Sequence, residues 1–107
     1  MATDTEAQQQ AALMLETVEL MVDDVPEVAE DWGEIPWGEA ATDEQLSWSM
    51  DWSDEMAKLE SVAQYAADGL LTAEQKLQYE RIIHKLKAVL PDIDRLNLRR
   101  PLIPLGA

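Results

Sequence analysis

The sequence predicts an all-α fold, a small bundle of three helices, and two observations carry that reading. Three segments open with one signature, Thr3-x-x-Glu6, Thr42-x-x-Gln45 and Thr72-x-x-Gln75. In this capping box the Thr hydroxyl and the Glu or Gln side chain satisfy two orphaned amides reciprocally. The apolar stock is mainly Leu and Ala, with five Met and no Phe, and β-branched residues are few and scattered, which favours helix over strand. A chain of 107 residues makes one domain at most, residues 1–107.

The first helix is expected over 4–25. Ala11, Met14/Leu15, Val18, Met21/Val22 and Val25 recur at helical spacing, and Pro26 is read as its end. Residues 26–42 then read as an acidic loop carrying Trp32 and Trp37 with two Pro and two Gly. A loop of that length normally has a functional reason or is disordered. The second helix is expected over 43–68, with Trp48, Trp52, Met56, Leu59, Ala63 and Ala66 on one side. Asp68-Gly69-Leu70 supplies the glycine and the following apolar residue of a Schellman-type stop. The third helix is expected over 73–90, using Leu77, Tyr79, Ile82/Ile83, Leu86 and Val89/Leu90. The short link before it predicts that helices two and three pair as an antiparallel hairpin. Pro91 would open a separate short turn over 91–97. The tail, 98–107, reads as extended, yet Leu98, Leu102, Ile103 and Leu105 are too apolar for a free end. It packs on its own helices or docks on a partner.

Net charge is −14, and its placement matters more than its size. Met1 to Ala57 holds sixteen acids and no Lys, Arg or His, whereas Lys58 to Ala107 holds eight bases against six acids. A solvated helix ordinarily mixes the signs to gain i,i+4 pairs of about 0.2–0.5 kcal/mol each. The first half forgoes them, which reads either as a solubilising face or as a surface for a basic partner.

All four Trp fall between Trp32 and Trp52, beside acids. Trp is a frequent binding hot spot, and neighbouring acids steer it toward basic surfaces. The candidate partner-binding set is therefore Glu30, Asp31, Trp32, Glu34, Trp37, Glu39, Asp43, Glu44, Trp48, Asp51, Trp52, Asp54 and Glu55. The bland alternative is that the Trp residues fold into a thin core, and for Trp48 and Trp52 that alternative is the stronger.

Catalytic chemistry finds little to work with. His84 is the lone His, on a basic helix face, and there is no Cys for a nucleophile or thiolate site. Glu80 and His84 are spaced to share a metal, but the further Glu and His of a carboxylate-bridged site are missing. Asp51, Asp54 and Glu55 lack a calcium loop's glycine and spacing. No phosphate-binding loop or nucleophile elbow occurs. No catalytic, metal or cofactor site is expected. Direct nucleic-acid binding is disfavoured by net charge. The N-terminal residues lack the pattern of a secretory signal, no stretch approaches the roughly 20 apolar residues of a membrane span, and a cytoplasmic protein is expected.

The expectation is a non-catalytic acidic binding protein. It would be a regulator or inhibitor of a protein with a basic groove, a nucleic-acid-handling protein above all, with the acids mimicking phosphates. The alternative is an accessory subunit of a larger complex; a metal-dependent enzyme comes last, and self-association remains open.

Overall fold

Three helices make up the bundle: α1 (Asp4–Trp32), α2 (Asp43–Ala67) and α3 (Ala73–Arg95). The structure, a computed structural model, describes residues 4–32, 43–96 and 98–103, with the side chains of Asp4 and Trp32 outside that description. No strand occurs among the described residues, and the all-α reading holds.

Local chemistry places the helix ends. Of the three capping boxes, two begin on Thr3 and Thr42, outside the described residues. The third forms: the Gln75 amide donates to Thr72 Oγ1 and the Thr72 amide to Gln75 Oε1, each at 3.1 Å. At the end of α2, Gly69 takes φ 72°, the left-handed region that glycine enters without a Cβ penalty. The Gly69 amide donates to the Ala66 carbonyl and the Leu70 amide to the Tyr65 carbonyl, which is the Schellman pattern.

α1 buries Ala7, Ala11, Leu15, Val18, Val22, Val25 and Ala29, all at three- or four-residue spacing. Against this stripe pack Trp52, Met56, Leu59 and Val62 of α2 and Ile82, Leu86, Val89 and Ile93 of α3. Leu77, expected in the core, is exposed on the outer side of α3. Cross-contacts set the directions. Tyr65 meets Gln10 and Thr17 meets Glu55, so α2 runs antiparallel to α1. Gln75 meets Gln8, Arg81 meets Glu19 and Arg95 meets Ala29, so α3 runs parallel to it. α2 and α3 are therefore antiparallel, as expected of a hairpin, but its close pairing is corrected: α1 packs closely on both, while their own backbones approach only sparsely.

Two prolines read as helix stops are not stops. α1 continues through Pro26 to Trp32, so the supposed loop over 26–42 loses its first seven residues to the helix. An interior proline costs roughly 3 kcal/mol in lost hydrogen bonding and crowding. Beyond it, Val28 is half-buried, Ala29 is buried, and Arg95 Nη2 donates to the Ala29 carbonyl at 3.1 Å. These contacts offset the cost, and the Pro26 ring sits on the exposed side. α3 likewise runs through Pro91 to Arg95 instead of breaking into a separate turn. Ile93 and Leu96 beyond it are fully buried, and each such side chain contributes about 1.5–3 kcal/mol.

The chain after α3 packs back on the bundle over its described part. Leu98 and Pro101 are buried and Ile103 half-buried, while Leu102 is 82% exposed. Arg99 folds over α2 and donates to Glu60 at 2.7 Å. The Arg99 carbonyl accepts a 2.7 Å hydrogen bond from the Trp52 indole, supplying a buried donor with its partner. Leu105 lies outside the described residues. No described helix is long and apolar enough to cross a membrane.

Candidate functional site

The charge asymmetry of the sequence resolves into two unlike seams along α1. On the side toward α3, Glu19 accepts from Arg81 Nε at 2.7 Å, from Lys85 Nζ at 3.2 Å and from Gln78 at 3.3 Å. Lys85 also meets Asp23 at 2.9 Å. The Arg81 guanidinium, aided by Lys85 and Gln78, holds the Glu19 carboxyl at about 2 although partial burial opposes ionisation. Farther on, Arg99 pairs with Glu60, Arg100 with Asp94 and Arg95 with Asp92. Most of the basic residues are thus spent within the chain.

On the side toward α2 lies an open groove of about 740 Å³. Leu20, Met21 and Asp24 of α1 form one wall, and Trp48, Asp51, Asp54 and Glu55 of α2 form the other. A smaller hollow continues it past Asp24, Glu27, Val28 and Asp31, again against Trp48. Among the described residues, no basic side chain pairs with Asp24, Glu27, Asp31, Asp51 or Asp54. Lys58 is the one base lining the groove, and it is held by Glu55 at 2.8 Å. Glu55 is further tied to Thr17 at 2.8 Å.

Trp48 joins the two hollows. It is half-buried and stacks on Trp52 with ring centroids 5.8 Å apart and planes 17° apart. Trp52 is fully buried. It therefore leaves the partner-binding set: a fully buried ring, in the core cluster with Met56 and Leu59 and with its N–H bonded to the Arg99 carbonyl, presents no surface to a partner. Of these two, Trp48 is the indole that reaches the surface.

The other expected residues separate in the same way. Asp31, Trp48, Asp51, Asp54 and Glu55 come together at the groove. Glu30 is exposed on α1 but does not line it. Asp43 and Glu44 are exposed in the first turn of α2, where acids complement the helix dipole. Trp32 ends α1 instead of standing in a loop, and Glu34, Trp37 and Glu39 lie outside the described residues. The sequence reading missed Leu20, Met21, Asp24, Glu27 and Val28 as groove residues. A signal for them existed: Leu13, Thr17, Leu20, Asp24, Glu27 and Asp31 form a second stripe at alternating four- and three-residue spacing.

No described group of three or more His, Asp or Glu gathers as a metal site. His84 is exposed on α3. The chain matches no protein-family model, no curated protein and no solved structure.

Proposed function

We propose that this protein is a non-catalytic binding protein whose α1–α2 face covers a basic surface on a partner protein, regulating or inhibiting it. One observation carries the reading. Five carboxylates with no basic partner among the described residues share one groove with a half-buried indole, while most bases are consumed elsewhere. Acids kept apart from an available supply of internal cations are a surface for someone else's cations.

The reading extends to a partner that handles nucleic acid. Asp24, Glu27 and Asp31 step along α1 by roughly 4.5 and 6 Å at a 1.5 Å rise per residue. Each DNA strand carries a charge per 3.4 Å, and a second acidic wall on α2 adds Asp51 and Asp54. Such a face competes for the channels that bind phosphates. The analogy is with acidic inhibitors as a functional class and rests on charge placement alone.

Affinity capture at low and high salt identifies the partner, and labelled duplex then tests the mimicry. The expected result is capture that weakens steeply with salt and competition between duplex and this protein. Salt-insensitive capture, or simultaneous binding without mutual weakening, defeats the mimic. A second reading, an accessory subunit of a larger assembly, draws on another patch. Leu46 and Met50 are 46% and 68% exposed on the outer side of α2, away from the groove. If that reading holds, polar substitutions there abolish partner binding and groove substitutions do not.

A further inference from the structure

Charge explains why a basic partner approaches, but it does not explain the apolar floor of the groove. Leu20 is 62% exposed and Leu13 69% exposed on the same side of α1, and Met21 and Trp48 are left half-covered. The core of the bundle uses the opposite stripe of α1, so among the described residues Leu13 and Leu20 stand outside it, while Met21 and Trp48 pack on it with one side and line the groove with the other. Resting on the basic-partner reading above, we propose that the groove receives one amphipathic basic helix of a partner protein. The helix lies lengthwise between α1 and α2, its apolar stripe on Leu20, Met21 and Trp48.

Three features select a helix over other shapes. Leu13 and Leu20 stand seven residues apart on one face of α1, the heptad spacing with which one helix meets another. That face runs on to Asp31 over roughly 27 Å at a 1.5 Å rise per residue, a rod-like footprint. An extended strand would need an open sheet edge, and the described residues contain no sheet. A helix with apolar residues at i, i+3, i+4 and i+7 fills such a groove and leaves its flanks free. On those flanks Asp24, Glu27 and Asp31 face from one wall and Asp51 and Asp54 from the other. The occupant therefore carries Lys or Arg on both sides of an apolar stripe.

The test uses the full chain and three labelled peptides of about 18 residues, matching the footprint. One places Leu at heptad a and d positions with Lys elsewhere, one permutes that composition to erase the stripe, and one is oligo-lysine. The patterned peptide is expected to bind about tenfold or more tighter than the others. It should also shift the NMR signals of Leu20, Met21 and the Trp48 indole. Leu20→Glu, at an exposed position that spares the fold, should weaken it about tenfold although it adds an acid. Met50→Glu makes the same charge change outside the groove and should leave binding within about twofold. Equal binding of the permuted peptide or oligo-lysine, or no loss in Leu20→Glu, overturns the helix-in-groove proposal and leaves the basic-partner reading standing. Failure of every cationic peptide to bind at low salt overturns both.

Discussion

On the side of α1 that faces α3, Glu19 and Asp23 meet Arg81 and Lys85. On the side that faces the groove, Asp24, Glu27 and Asp31 look across at Asp51 and Asp54. Asp23 and Asp24 are neighbours in sequence, yet a helix turns about 100° per residue and sends them to opposite fates. The first is neutralised by an ion pair, and the second has no basic partner among the described residues. A net charge of −14 is therefore not a diffuse property of this molecule. Among the described residues, one seam is close to balanced and the other holds an unbalanced excess.

The largest expected effect tests whether both seams rest on one core. Trp52→Ala removes a fully buried ring in the shared core and should lower stability by about 3–5 kcal/mol in urea unfolding. A loss below about 1 kcal/mol would mean the core does not close over Trp52. Next comes the balanced seam. Arg81→Ala strips Glu19, whose side chain is 15% exposed, of its main partner and should lower stability in the same unfolding measurement, by less than Trp52→Ala does.

The same seam has a pH signature. Glu19 is held at about 2 against an ordinary 4.5, so its contribution is complete above 4.5. It is lost as pH falls toward 2. The stability gap between the wild type and Glu19→Gln should follow that course in melts taken across the range. A gap independent of pH would show that Glu19 gains nothing from its cations.

On the unbalanced seam the sign reverses. Glu27→Gln relieves like-charge neighbours at Asp24 and Asp31 and should raise stability by about 0.2–0.5 kcal/mol per pair removed. If Arg81→Ala and Glu27→Gln both destabilise, the contrast between the seams is wrong. The smallest effect is salt. Raising NaCl from about 0.02 to 0.5 M screens the groove acids and should lift the melting temperature, less so in Glu27→Gln. A melting temperature that falls with salt would mean ion pairs dominate both seams.

The three helices were legible because their determinants are local. Thr72 and Gln75 cap α3 through side chains three residues apart, and Gly69 stops α2 through its own backbone freedom. The stripe from Ala11 to Val25 reads directly as a buried face. Pro26 and Pro91 misled because their cost is local while the compensation is tertiary: Ala29 meets Arg95, and Ile93 and Leu96 enter the core. That error hid half of the site. With the first helix closed at residue 25, Glu27, Val28 and Asp31 belonged to a loop and could not align with Leu20 and Asp24. On α2, Trp48, Asp51, Asp54 and Glu55 were legible as a cluster, since they fall within about two turns. Which of Trp48 and Trp52 faces outward was not, because the answer depends on where Arg99 ends up.

The stacked indoles give the molecule a built-in optical gauge. Trp48 and Trp52 lie nearly parallel at 5.8 Å, near enough for their excited states to couple. The lower ring is pinned by the Arg99 carbonyl and the upper ring forms part of the groove wall. Anything that seats in the groove and tilts Trp48 changes the coupling while Trp52 stays still. The near-ultraviolet circular dichroism of the unlabelled protein thus reports occupancy of the groove.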